Sequence, residues 1–304
     1  MREPTATSEK LKRKAFFDRD TLLHLRLPFS FFLLPVFCFG LSEALPVDWK
    51  NTALVFIVLH FFIYPGSNIY NSYMDKDKGS IGGLRNPPPV TRKLYYVSII
   101  FDGVGLLLSW LISWKMLLLM LVYVGVSKAY SWRGVRLKKY GWIGWLVVMA
   151  FQGGYTFLLV NIAAENELNE AWLDGKKAWA MLIASLLIGG FYPLTQIYQH
   201  EEDSERGDLT VSYKLGVTGT FIFSALLFLG ACAAAWFYFS GFYSAHHFLI
   251  FIVCLVPVII YFLYWFVKSM QDKAAADFSH AMRMTFISSV CMIVCFTALF
   301  VLNH

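Results

Sequence analysis

Two short acidic stretches, far apart in the chain, carry side chains whose types and spacing suit a hard cation. The first reads Asn68-Ile-Tyr-Asn71-Ser-Tyr-Met-Asp75-Lys-Asp77-Lys-Gly79. Asn68, Asn71 and Asp75 fall at i, i+3 and i+7, on one face of a helix, and Asp77 follows where that helix would unwind. The second reads Gln196-Ile-Tyr198-Gln199-His200-Glu201-Glu202-Asp203-Ser-Glu205-Arg206-Gly207-Asp208, and Gln196, Gln199 and Asp203 repeat the same spacing. Carboxylate and amide oxygens are hard ligands. Magnesium takes one or two carboxylates, keeps several waters and completes its shell with substrate phosphate oxygens. Taken singly, each stretch also reads as a solvated helix end. The repetition of amide, amide, carboxylate at two places sets them apart.

Acidic groups that face each other repel unless a cation lies between them. Basic residues lie near both stretches in sequence: Arg85 and Arg92 after the first, Lys138 and Lys139 in the middle of the chain. Carboxylates that hold a divalent metal, with Arg and Lys able to grip phosphate oxygens, are what a diphosphate requires.

The elements that must position these groups are membrane helices. Of the 304 residues, 58% are hydrophobic and only 15% are charged, against about 25% charged in a soluble domain. The polar surface of a water-soluble fold is missing. A hydrocarbon core about 30 Å thick needs roughly 20 helical residues, and apolar runs of that order predict spans near 25–44, 52–70, 95–113, 115–131, 142–163, 177–198, 217–239, 246–267 and 282–301. The expected fold is therefore all-α and polytopic, with nine transmembrane helices in one bundle around a central cavity. Residues 1–24 form a cytoplasmic N-terminal segment and 25–304 one membrane domain. No small-residue cleavage site follows the first apolar run, so that helix is expected to be retained.

With the N-terminus inside, all but four of the 26 lysines and arginines fall on inner segments, the exceptions being Lys50, Lys115, Lys176 and Lys177. Positive residues mark cytoplasmic loops. The reading is N-in and C-out, in a bacterial inner (plasma) membrane, with both acidic stretches at cytoplasmic ends of even-numbered spans. The net charge of +6 suits anionic lipid headgroups, and nothing supports a nucleic-acid partner. No obligate protein partner is evident. Cys38, Cys232, Cys254, Cys291 and Cys295 all fall inside expected spans without metal-ligand spacing and read as small apolar packers.

At the acidic stretches the chain resembles the UbiA superfamily of intramembrane prenyltransferases, a nine-helix family with an N-D-x-x-D-x-x-x-D type motif after the second helix and a D-x-x-D-x-x-x-D type motif after the sixth. Asn71 and Asp75 match the first motif, and Asp203 matches the last acid of the second. The run Gly207-Asp-Leu-Thr210-Val-Ser-Tyr-Lys-Leu215-Gly216 is similar to the family's continuation of the second motif. Tyr130-Ser131 through Leu137-Lys138 to Gly141-Trp-Ile143-Gly144 is similar to an element of the branch that holds chlorophyll synthase and archaeal ether-lipid prenyltransferases. Departures are Ser72 for an acid, Gly79 for another, Asp77 two residues short of the first motif's last acid, and Gln196 and Gln199 for two aspartates. Glutamine offers a neutral carbonyl oxygen without the charge that holds magnesium tightly.

The resemblance implies Mg2+-dependent transfer of an isoprenoid group from a polyprenyl diphosphate to an aromatic or other lipophilic acceptor. It implies Asp75, Asp203, Lys138 and Tyr130 as catalytic residues. Asn68, Asn71, Arg85, Lys138, Gln196 and Gln199 would bind the diphosphate, and Asn71, Asp75, Asp77, Gln199 and Asp203 the metal. An allylic cation would be stabilised by aromatic ring faces, and aromatic residues make up 18% of the chain. Two other readings share this scaffold: a terpene cyclase, and an isoprenoid-binding protein that has lost catalysis, for which the two glutamines argue. A transporter would place paired polar or broken segments at mid-membrane, where this sequence is apolar apart from residues such as Asp102. Asp102 is either functional or a packed polar group. His60 and Gln152 read as satisfied interior groups, and Gly153-Gly154 and Gly189-Gly190 as close-packing positions. Pro28, Pro35, Pro193 and Pro257 are expected to bend spans around a cavity.

Overall fold

The computed structural model describes residues 16–165 and 173–304; of the segment expected at 1–24, residues 1–15 lie outside the described residues. Among those described, nine helical runs follow in chain order: α1 (Arg19–Ser42), α2 (Trp49–Asp75), α3 (Arg92–Ile112), α4 (Trp114–Ser131), α5 (Gly141–Glu165), α6 (Gly175–Glu205), α7 (Val211–Phe242), α8 (Ala245–Gln271) and α9 (Phe278–Asn303). Eight are long and apolar enough to cross a membrane. The remaining one, α4, is present where the fourth span was expected, but it has 18 residues and carries Lys115 and Lys128.

Side-chain caps explain where several helices begin. Asp18, Asp48, Ser113, Asp174, Thr210 and Asp277 each accept the backbone N–H three residues on. This supplies an acceptor that the first turn otherwise lacks. Interruptions fall at residues that cannot continue an α-helix. Arg26, in the left-handed region at φ 49°, and Pro28 break α1 into two α segments around a 3-10 stretch, Leu27–Leu33. Pro65 has no N–H for the carbonyl one turn back, and a π-helical segment, Val58–Ile63, lies just ahead of it. A second π segment, Met149–Tyr155, widens α5. Pro193 sits near the point where α6 passes into a 3-10 turn, Ile197–Gln199, before resuming at His200. The helix therefore continues beyond the expected end at 198, and α7 starts earlier than expected because Gly216 (φ 65°) absorbs a kink inside it.

Beside a small third cluster of Leu25, Ile69, Leu94 and Val97 that joins α1, α2 and α3, two large apolar cores hold the bundle. One joins α2, α4 and α5 through Val55, Leu59, Met120 and Val160, with Phe37 of α1 packed in. The other joins α6 to α9 through residues such as Ala184, Phe221, Trp265 and Phe296, with Phe39 of α1 stacked on Phe296 at 4.4 Å. Helices α1 and α5 contribute to both. Where α5 meets α6 the backbones nearly touch: a Cβ at Gly153 would lie 2.6 Å from the Ser185 Cα. Leu107, Leu226, Leu229, Ile260 and Val301 point outward, exposed, as suits a surface solvated by lipid chains. The five cysteines are free thiols within helices.

The ends of α2, α4 and α6 lie at one end of the bundle, and the loops that follow them are bound together. Gln199 Nε2 donates to Ser80 O at 3.0 Å, and the Lys78 N–H to Glu202 Oε1 at 2.8 Å. Tyr140 and Gly141 form parallel bridges to Leu209 and Thr210. Residues 68–77 and 196–208 therefore share one rim.

Candidate active site

A cavity of about 280 Å3 opens at this rim, with walls from both halves of the bundle. Its polar mouth includes Asn68, Asn71, Asp75, Asp77, Lys138, Gln196, Gln199, Asp203, Arg206 and Asp208, and its deeper wall is largely aromatic, with Phe29, Phe32, Tyr64, Tyr123, Phe151 and Phe191. The π segment of α5 carries Phe151 and Gln152 to this wall.

Helix α2 ends directly after Asp75 because Lys76 takes a left-handed conformation (φ 55°) and donates its N–H to Ser72 O. Asp75 thus sits on the last turn, buried, and Asp77 on the loop. Lys138 Nζ lies 2.5 Å from Asp75 Oδ2 and 3.3 Å from Asp208 Oδ2. Arg136 forks onto Asp208 with two bonds of 2.7 Å and reaches Asp75 Oδ1 at 3.5 Å. Burial raises the Asp208 carboxyl, but the hydrogen bond and charge of Arg136, with Lys138, outweigh that and hold it below the usual carboxylate range. The same bond to Asp208 raises the Arg136 guanidinium. Across the mouth, Arg206 contacts Asp77 through Nη1 and Asp203 Oδ1 through Nη2 at 3.1 Å. Four aspartates therefore meet Arg136, Lys138 and Arg206, with Arg26 also on the cavity wall.

The amides are oriented by their own bonds. Asn71 Nδ2 donates to Ser131 Oγ at 3.0 Å. Gln196 Nε2 donates to Tyr192 Oη at 3.0 Å, and Tyr192 Oη contacts Tyr130 Oη. Arg26 holds the first loop by donating to Asn68 O and Gly82 O at 3.0 and 3.2 Å.

Of the catalytic, diphosphate-binding and metal-binding residues that the resemblance implied, all but Arg85 line this cavity. Arg85 turns away: its guanidinium contacts Ser279 Oγ and lies over the Phe278 ring at 5.6 Å. Sequence reasoning passed over Arg136, Asp208 and Arg206 as functional groups. The signal for Arg206 was its place three residues after Asp203; the pairing of Arg136 with Asp208 depends on two loops meeting and had no local signal. Asp102 pairs with Lys128 at 2.6 Å, among α2, α3 and α4, and His60 stacks on Phe56 and meets Tyr64 edge-on, its buried Nε2 without a hydrogen-bond partner, contrary to the expectation of a satisfied group. Neither lines the cavity. Gln152 does.

The donor set fits one divalent ion of the magnesium type. Asp75 Oδ1 and Gln196 Oε1 are buried oxygens that no hydrogen bond satisfies. Among the described residues no three carboxylate, histidine or cysteine side chains cluster as a closed metal site. An ion here would need oxygens from a bound ligand, as Mg2+ sites on phosphate substrates do.

A profile of the UbiA prenyltransferase family matches residues 31–302. No curated protein sequence matches. Among solved structures, a UbiA homologue from Archaeoglobus fulgidus bound to DMAPP and Mg2+ is similar with a TM-score of 0.66 and 18% identity, covering 93% of this chain and 99% of that one. An apo UbiA homologue from Aeropyrum pernix K1 gives 0.66 and 14%, covering 91% and 98%. A structure of digeranylgeranylglyceryl phosphate synthase gives 0.59 and 19%, covering 93% and 96%.

Proposed function

Because the chain belongs to the UbiA prenyltransferase family, we propose that it moves an isoprenoid group from a polyprenyl diphosphate to an aromatic or other lipophilic acceptor, within the membrane and with Mg2+. One observation carries this reading. Lys138 and Arg206 sit among four aspartates at the mouth of an aromatic-walled cavity, inside a bundle of membrane helices. Charge that binds diphosphate thus adjoins space that fits an isoprenoid. The Archaeoglobus fulgidus homologue bound to GPP and Mg2+, of like fold, supports it further.

Asn71 and Asp75 would hold the metal, with Asp77 and Asp203 across the mouth. The bound ion would screen the diphosphate's charge and stabilise it as a leaving group. Lys138 and Arg206 donate to the phosphate oxygens, and Arg136 adds its field from behind Asp75. As the carbon–oxygen bond breaks, its electron pair leaves with the diphosphate, and these fixed cations meet the charge that develops. The rings of Tyr123, Phe151 and Phe191 exclude water and face the electron-poor carbon until the acceptor forms the new bond. Tyr130 and Tyr192 stand between mouth and wall. Asn68, Gln196 and Gln199 shape the diphosphate pocket, and Arg206 assumes the role expected of Arg85. The mouth faces the cytoplasm in this reading, with the N-terminus inside, because the basic residues concentrate on that side.

The test is incubation of the purified, lipid-reconstituted protein with a panel of prenyl diphosphates and lipophilic acceptors. Diphosphate release and a prenylated product by mass spectrometry, both lost on chelation, are expected. Release of diphosphate without any acceptor adduct would favour internal cyclisation, and no release from any donor would contradict the assignment.

A further inference from the structure

Two acidic loops that face each other need positive charge between them, and the chain supplies some itself. Arg206 Nη1 contacts Asp77 of the first loop, Nη2 lies 3.1 Å from Asp203 Oδ1 of the second, and Glu202 Oε1 is 3.9 Å away. All three are well shielded, the side chains of Asp77, Asp203 and Arg206 being 6%, 9% and 19% exposed. Such contacts are screened far less than pairs in open water. The backbone fixes this placement. Gly207 takes φ 74°, a conformation that suits glycine, and lets Asp208 N–H turn back to Asp203 O at 2.9 Å.

The two amides of the second loop bring no charge to a metal: Gln199 and Gln196 point their nitrogens at Ser80 O and Tyr192 Oη and offer only a neutral carbonyl oxygen, of which the buried Gln196 Oε1 is unpaired. The first loop differs. Asp75 is held by Lys138 through Oδ2, while its buried Oδ1 has only Arg136 at 3.5 Å and no hydrogen bond.

We propose that Arg206 is a built-in cation that occupies the place of a second metal between Asp77 and Asp203, so that the mouth takes a single divalent ion on the Asn71–Asp75 side. This rests on the metal-dependent reading above. A guanidinium is permanently charged and cannot be chelated. It balances the second loop whether or not substrate is present, and its position on the cavity wall offers its N–H groups to phosphate oxygens.

The experiment counts Mn2+ by electron paramagnetic resonance on the full chain in lipid nanodiscs, with inorganic diphosphate present. The wild-type protein is expected to bind one ion per chain. Arg206→Ala and Arg206→Gln release Asp77 and Asp203 and should each gain a second ion, while Asp75→Asn should lose the first. Two ions in the wild-type protein would overturn the proposal and leave the prenyl-transfer reading standing. An unchanged count of one in an Arg206 variant that melts like wild type would also overturn it. Should both variants fail to fold, the wild-type count alone decides. A count of zero with diphosphate would overturn both the proposal and the metal-dependent reading beneath it.

Discussion

Lys138, in the loop after α4, reaches Asp75, on the last turn of α2, with 2.5 Å between Nζ and Oδ2. The same ammonium lies 3.3 Å from Asp208 Oδ2 in the loop after α6. One basic side chain thus ties the end of α2 to the loops after α4 and α6 at the cavity mouth. Both partners are buried, so neither loop can move without leaving a charge unpaired in a poorly solvated place.

Asp75→Ala removes the carboxylate best placed for the metal and strands Lys138. Diphosphate release should fall by roughly 100- to 1,000-fold, the loss expected when one group that stabilises transition-state charge is removed. A stopped assay on wild type and variant side by side measures it; a rate near wild type would remove Asp75 from the machinery.

Asp208 holds Arg136 and Lys138 and touches no substrate in this account. Asp208→Asn weakens two charge-assisted bonds, each of about 1.5 to 3 kcal/mol, and should lower kcat/KM by roughly tenfold or more. The effect should fall mainly on KM for the diphosphate substrate, because loosened cations bind it less well.

The same carboxylate predicts a pH dependence of stability. Its folded pKa lies below the unfolded value near 3.8, so its contribution is complete above pH 3.8 and is lost as pH falls through the lower folded value. Thermal melts should separate wild type from Asp208→Asn at neutral pH and bring them together in strong acid. A gap that persists at pH below the folded pKa would contradict the ion-pair explanation.

Gly153→Ala places a methyl group 2.6 Å from the Ser185 Cα, against backbone that cannot swing aside. Helices α5 and α6 must part, at a cost of about 1 to 3 kcal/mol. A lowered melting temperature in detergent is expected, together with weaker substrate binding, since the neighbouring Gln152 lines the cavity. An unchanged melt would show that the contact relaxes freely.

How much was legible in advance follows from how local each feature is. Apolar runs located the nine helical runs among the described residues, eight of them long and apolar enough to cross a membrane, because burial in hydrocarbon imposes one requirement on every residue of a span. The weakest case was α4, where Lys128 serves Asp102 and Ser98 within the bundle and lowers the hydropathy that marks a span. The even-numbered places of the second and sixth spans put both stretches at one rim; the i, i+3, i+7 spacing holds on α2 for Asn68, Asn71 and Asp75, whereas a 3-10 turn, Ile197–Gln199, separates Gln196 from the helical turn that carries Asp203. Arg85 was expected at the same rim on sequence proximity alone. The loop after α2 instead folds back through the Ile81–Leu84 bridge, and Arg85 ends against Phe278. The grip of Arg136 on Asp208 and of Arg206 on Asp77 needed the tertiary meeting of loops, which no spacing rule encodes.

The central claim is that the loops after α2 and α6 share one bound diphosphate through a cation. Calorimetric titration with a prenyl thiodiphosphate, which binds without ready cleavage, tests it in wild type, Asp75→Ala and Asp203→Ala, with Mg2+ and with chelator. The account predicts one molecule per chain, with affinity at least roughly tenfold weaker in either variant, the loss typical of a charged hydrogen-bonding partner, and weaker again in wild type on chelation. Binding that is indifferent to Asp203, or to removal of the metal, would contradict it.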